Sequence, residues 1–98
     1  MMPGGLSDPK PATPEVQHLA DQVKPQLERR ENETYTMFTA IIYRTQVVAG
    51  TNYFVKVQNS GDKYVHLKIF EPLPQENQDP HLTGYQTGKT RDDPLVYF

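Results

Sequence analysis

Val16, Leu19, Ala20, Val23 and Leu27 recur at three- and four-residue intervals, a period that the later part of the chain does not repeat. At about 100° per residue the five fall within one arc of roughly 100°, the width of a single buried helix stripe. Thr13 ahead of them is a competent N-cap, and Pro14 suits the first helical position, where its missing N–H is no loss. The pattern predicts one helix from about Thr13 into the low thirties. Pro25 lies on the wheel opposite the stripe, where water can satisfy the carbonyl it frees, and a bend is expected there.

Beyond the helix the period is two. MFTAIIYRT (37–45) and TNYFVKVQ (51–58) both read as strand. In the second, Tyr53, Val55 and Val57 alternate with Asn52, Phe54, Lys56 and Gln58. Further on, Val65, Leu67 and Ile69 alternate with Tyr64, His66, Lys68 and Phe70. Asn59-Ser60-Gly61-Asp62 is a hairpin loop, and Leu73-Pro74 opens a longer polar connection that ends near Asp79-Pro80. HLTGYQT (81–87) and the final LVYF supply two short strands. One long amphipathic helix and four or five antiparallel strands make an α+β domain with the helix across one sheet face. The other face is expected to stay open to solvent.

The chain has 98 residues, enough for a single domain with one core, and 1–98 is read as that domain. Residues 1–12 hold three prolines and two glycines with little to bury, so they read as a flexible N-terminal arm. A net charge of −2, with Lys and Arg dispersed, gives no basic stripe for nucleic acid. The chain has no cysteine, hence no disulfide and no catalytic thiol, and an uncrosslinked domain of this size suits the cytoplasm. No leader pattern or membrane-length apolar run is evident. Asn32-Glu33-Thr34 matches a glycosylation sequon, which matters only in an exported chain.

No residue set reads as an active site, and no cofactor or metal is implied. Gly84-Tyr85-Gln86-Thr87-Gly88-Lys89-Thr90 ends like a phosphate-binding loop, but three residues separate its glycines where four are needed for the backbone N–H groups to encircle a phosphate. It reads as a polar turn between strands. His18, His66 and His81 lack metal-ligand spacing and are expected at the surface. Asp92-Asp93 and the scattered glutamates read as solvated charges. The protein is not expected to be an enzyme.

What remains is apolar surface where folding does not require it. QVVAG (46–50) lies between two strands, at a hairpin tip, yet Gly50 is its only usual turn residue. The arm opens with Met1, Met2, Pro3, Gly4 and Gly5, and Leu73-Pro74 follows another strand. In an antiparallel sheet a terminus and two such loops can emerge at the same end. Three apolar segments together imply a docking edge.

Met-Pro-Gly-Gly-Leu (2–6), Lys-Pro-Ala-Thr-Pro-Glu (10–15), Gln-Val-Val-Ala-Gly-Thr-Asn-Tyr (46–53), Leu73-Pro74 and Leu-Thr-Gly-Tyr-Gln (82–86) together resemble the stefins, the intracellular type 1 cystatins. The resemblance covers essentially the whole chain and implies the cystatin-like fold. It also implies a reversible, tight-binding inhibitor of papain-like cysteine proteases, cathepsins among them. Carried over by residue, Gly4 is the family's N-terminal glycine, with Met1, Met2 and Pro3 entering the non-primed side of the protease cleft. Gln46, Val47, Val48, Ala49 and Gly50 form a first loop, and Leu73 and Pro74 lie in a second. The three parts make a wedge that straddles the catalytic cysteine of the enzyme.

The arm and NETY look like the A branch of the stefins, whereas HLADQV, YVHL and LVYF look closer to the B branch, whose cysteine near the terminus is replaced by Pro3. A paralogue and a designed blend would each give this mixture. Pro94 departs from the expected acidic residue and cannot donate to a ladder, so a final strand would begin after it or lie at an edge. A binding scaffold retargeted through the same edge is the alternative reading, and intact QVVAG and Gly4 argue against it. The chain is expected to be a monomer, although opening a strained hairpin would let two copies exchange strands.

Overall fold

The structure, a computed structural model, describes residues 5–98. In chain order it contains β1 (Lys10–Pro11), α1 (Pro14–Glu31), β2 (Thr39–Val48), β3 (Gly50–Gln58), β4 (Tyr64–Glu71) and β5 (His81–Lys89). The strands form one antiparallel sheet in the order β1-β2-β3-β4-β5, with α1 packed across one face. This is the predicted α+β, cystatin-like architecture, with five strands.

The helix begins as its sequence signals require. Thr13 is extended and its Oγ1 accepts from the backbone N–H of Val16 at 3.2 Å, with Pro14 at the start of the first turn. It ends at Asn32, whose left-handed conformation (φ 53°) lets its N–H reach the carbonyl of Glu28. The helix is unbroken through Pro25, which is exposed. Val16, Leu19, Ala20, Val23 and Leu27 are all buried, against Val55, Val57, Val65, Leu67, Ile69 and Leu82 of the sheet. Tyr35 and Phe38 close the core beneath the helix-to-strand connection.

Polar side chains along the helix flanks satisfy backbone groups that the sheet leaves over. The Gln17 amide donates to the carbonyl of Phe38 and accepts from the N–H of Ala40. Gln26 accepts from the N–H of Leu82, and Arg30 donates to the carbonyl of the same residue. These bonds fix the helix along the sheet as well as against it, since a buried peptide group without a partner is costly.

Five expectations need correction. A strand precedes the helix: within the segment read as an arm, Lys10 and Pro11 pair with Tyr43 and Ile42, and Ala12 donates to the carbonyl of Ile41. Gly84 to Lys89 belongs to β5 and is not a turn. Between Gln86 and Lys89 that strand carries one residue more than its partner, and Gly88 (φ 69°) supplies the backbone conformation this bulge needs.

The final LVYF is not a strand. Pro94 lacks an N–H, and residues 91–98 cross the face of the sheet that α1 leaves free, their carbonyls bonded by side chains. Lys56 Nζ donates to the carbonyls of Arg91 and Asp93, and Arg44 Nη1 to that of Leu95. Consequently much of the second face is covered, and only its end near residues 46, 52, 70 and 81 remains partly open to solvent. Leu95 and Phe54 are buried there, with Tyr97 and Phe98 packed on the Phe54 ring at 5.7 and 5.6 Å. His66, expected at the surface, lies on this face and is wholly buried, whereas His18 and His81 are exposed as expected.

Candidate functional site

The β2–β3 hairpin closes abruptly. Val47 pairs with Thr51 and Val48 with Gly50, leaving Ala49 alone at the apex. So short a reversal requires a residue outside the usual backbone regions, and Gly50 provides it with φ 123°. A Cβ on Gly50 would stand 2.6 Å from the carbonyl oxygen of Glu71 and 2.8 Å from the Phe70 ring, closer than any side chain can lie. Glycine is thus fixed twice at this position, by its dihedral and by the strand against which it is buried.

The valines face outward. Val47 is 73% exposed and Val48 43%, and Ala49 is exposed beside them. Gln46, half-buried, accepts from Asn52 Nδ2 at 2.8 Å, a bond between the two strands just below the tip. Main-chain pairing holds the valine side chains aloft, so their position does not depend on mutual packing.

The second loop begins at the same end of the sheet. β4 runs antiparallel to β3, so Glu71, which ends β4, is opposite Thr51, the second residue of β3. Two residues later Leu73 is 36% exposed, and Pro74 starts a single 3-10 turn, Pro74–Glu76, closed by Asn77 in the left-handed conformation (φ 52°). Gly50, Thr51, Glu71, Pro72, Leu73 and Pro74 line a common cleft of about 340 Å³ between the two loops. Five of the residues read from the sequence as the first loop and two read as the second are thereby brought to one edge.

The N-terminal segment leads toward that edge. Its register with β2 pairs Lys10 with Tyr43, and Ser7 is bonded to Thr45 in both directions, its N–H to the Thr45 carbonyl at 2.8 Å and its Oγ accepting the Thr45 N–H at 2.9 Å. Read backward, the chain climbs β2 toward Gln46. Met1, Met2, Pro3 and Gly4, named from the sequence, lie outside the described residues.

Sequence reasoning missed the residues that brace this edge. Arg44 donates from Nε to the carbonyl of Ser7 and from Nη1 to that of Leu95, both at 2.8 Å, joining the arm and the C-terminal segment to β2. Glu71 accepts from the Tyr53 hydroxyl at 3.4 Å, and burial, followed by the adjacent Glu71 charge, raises the Tyr53 pKa above its usual value. In the sequence Asn52 reads as a strand residue and as part of the 46–53 motif, with no sign that it bonds Gln46. An arginine two residues before QVVAG offers no hint of its two carbonyl partners, because both are distant in sequence.

The described part of the edge carries the exposed apolar side chains of Val47, Val48 and Leu73. Among the described residues, no cluster of three or more His, Asp or Glu is placed to hold a metal ion. Among those residues, too, no helix is long and apolar enough to cross a membrane.

Comparison with known proteins adds the relatives. The cystatin domain family matches residues 4–92. Cystatin-A of Homo sapiens is 58% identical over 98 residues, the full length of both chains. Leukocyte cysteine proteinase inhibitor 1 of Sus scrofa is 55% identical over all of this chain and 95% of its own. Stefin-C of Bos taurus is 54% identical over 97% of this chain and 94% of its own.

Proposed function

Because the chain belongs to the cystatin family, among its type 1 members, the stefins, we propose that it inhibits papain-like cysteine proteases by seating a three-part apolar wedge in their active-site cleft. The role of cysteine protease inhibitor follows from membership and from full-length likeness to Cystatin-A and to a protein named as a cysteine proteinase inhibitor. The wedge is the mechanism. Its parts are the arm at Met1, Met2, Pro3 and Gly4, the first loop from Gln46 to Gly50, and the second at Leu73 and Pro74.

The observation that carries this reading is the exposure of Val47, Val48 and Leu73 on rigid backbone at one end of the sheet. Each valine or leucine side chain that leaves water for an apolar cleft contributes about 1.5–3 kcal/mol. Because the hairpin and the second loop are already shaped, little of that is spent on ordering them. Gly4, without a Cβ, lets the arm's backbone approach the enzyme closely. The wedge straddles the enzyme's thiolate without presenting it a peptide bond in position for attack, so the protein acts as an inhibitor rather than a substrate.

Papain-like enzymes such as the lysosomal cathepsins are the targets in view, met when they escape into the cytoplasm, where a chain without cysteine is at home. Titration of papain with the purified protein tests the reading. Activity should fall linearly to near zero at one inhibitor per enzyme and return on dilution; undiminished activity at excess inhibitor would overturn it. Removal of residues 1–4 should raise the dissociation rate, and an unchanged rate would take the arm out of the wedge.

A further inference from the structure

Four side chains stand in a row across the wedge end of the sheet. Gln46 of β2 is paired with Asn52 of β3, Asn52 with Phe70 of β4, and Phe70 with His81 of β5. Directly opposed residues of antiparallel strands carry their side chains on the same face, so the row is continuous from the first loop to the strand that follows the second. Side-chain contacts join its two outer pairs, and strand register joins Asn52 to Phe70. Asn52 Nδ2 donates to Gln46 Oε1 at 2.8 Å, and the Phe70 and His81 rings meet edge to face at 5.7 Å. Phe70 also reaches along the row's edge to Gly50, its Cζ and Cε1 lying 2.8 and 2.9 Å from where a Cβ on that glycine would stand.

The hydrophobic core does not account for Phe70. It points away from α1, is absent from the cluster beneath the helix, and is only half-buried. What its location does explain is geometry. From Phe70 the chain reaches Leu73 in three residues, while its ring lies against the last residue of QVVAG. One ring therefore touches the base of the first loop and stands at the root of the second.

We propose that Phe70, together with Asn52 behind Gln46, is a positioning residue that holds the QVVAG tip and the Leu73-Pro74 loop at a fixed separation, so that both enter the protease cleft as one body. This rests on the wedge reading for its consequence. Gly50 has the widest backbone freedom of any residue type and no side chain with which to anchor itself. Without the Phe70 ring, only the Glu71 carbonyl oxygen and the strand pairing at Thr51 would bound Gly50 on the β4 side, and the two loops would sample a wider range of relative positions. Apparent affinity falls in proportion to the fraction of molecules whose loops are correctly spaced.

The test compares wild type, Phe70→Ala and Phe70→Leu for papain inhibition and for amide hydrogen exchange. If the competent arrangement falls to about a tenth of the population, Phe70→Ala raises the inhibition constant about tenfold, and Phe70→Leu, which keeps an apolar group against Gly50, recovers most of the loss. Exchange should quicken in Phe70→Ala at residues 47–51 and at Leu73 and Gln75 together, with α1 unchanged. A merely structural loss would quicken α1 as well.

Inhibition as tight as wild type by folded Phe70→Ala would overturn the proposal, as would exchange that rises uniformly through the molecule. Should Phe70→Ala not fold, Asn52→Ala cuts the row at its other link without removing apolar surface, and the same expectations apply. If wild type itself fails to inhibit papain, the wedge reading falls, and exchange alone judges the tie: quickening confined to both loops retains it, and no change removes it.

Discussion

Lys56 and His66 stand directly opposite one another on β3 and β4, both buried beneath the C-terminal segment. The pair divides its burial unequally. The Lys56 ammonium has the carbonyls of Arg91 and Asp93 at 2.5 and 2.6 Å, while neither ring nitrogen of His66 finds a hydrogen-bond partner among the described residues. A cation can be kept there only once, since each buried charge needs its own compensation. His66 is the one left neutral.

Its ionisation follows from that arrangement. Burial first, then the positive charges of Lys56 and Lys89, push the His66 pKa down to about 4, with Asp93 opposing. Unfolded, the same imidazole titrates near its ordinary value of 6.5. Below that value the unfolded chain takes up a proton that the folded protein refuses, so the stability contribution is complete above it and is lost as pH falls toward the folded pKa. Urea unfolding at about pH 7.5 and about pH 4.5 should show wild type losing about 2 kcal/mol more than His66→Leu. Equal losses would mean that His66 is solvated in the folded state.

The segment above this pair should be integral to the fold. Leu95 is 3% exposed, the Tyr97 and Phe98 rings pack on Phe54, and the carbonyl of Leu95 is held by Arg44. Deleting residues 95–98 strips that cover from Phe54 and leaves an arginine donor without its acceptor. A loss of about 3 kcal/mol or more is expected from the apolar burial alone. The denaturant midpoint of the truncated chain measures it, and a midpoint equal to wild type would show that the segment does not pack this way in solution.

This segment also marks where the sequence stops being legible. The helix was readable because capping and a 3.6-residue period are local, and Thr13, Pro14 and the apolar stripe all stand where they were expected. The central strands were readable for the same reason, and the exposed apolar edge from apolar residues at a turn. By contrast, the period-two pattern assigned Tyr64, His66 and Phe54 to a solvent face. That two aromatics and a histidine recurred there was a signal of a second buried layer. What covers the face could not be read, because Lys56, Arg44 and residues 91–98 meet only through long-range bonds. β1 was hidden similarly: a two-residue strand containing proline carries no period at all.

Gly50 admits no substitute. In Gly50→Ala the new Cβ would stand 2.6 Å from the Glu71 carbonyl oxygen, a backbone atom that cannot rotate away, and φ 123° is strained for any side chain. Relief requires the hairpin to lift from β4, at a cost of about 1–3 kcal/mol. Because lifting displaces the first loop from the second, papain inhibition should weaken at least tenfold, which corresponds to about 1.4 kcal/mol of binding. Thermal unfolding and inhibition measured on one preparation check both effects. If stability falls and inhibition does not, the spacing of the two loops is irrelevant to the target.

Val47 should show the opposite division. At 73% exposure it gives the fold little, so Val47→Ala is expected to leave the unfolding free energy within about 0.5 kcal/mol of wild type. On the wedge reading its side chain is buried in the complex, and truncation removes two carbons' worth of apolar contact, about 1–2 kcal/mol at roughly 0.8 per carbon. The inhibition constant for papain should therefore rise roughly five- to thirtyfold, mostly through faster dissociation, because truncation leaves the shape of the approaching loop unchanged. Val47→Asp sharpens the contrast: a carboxylate at the exposed tip is harmless in the free protein and must be desolvated on docking, so its loss should be larger still. If both variants inhibit like wild type while remaining folded, Val47 does not enter the cleft, and the first loop is not part of the wedge.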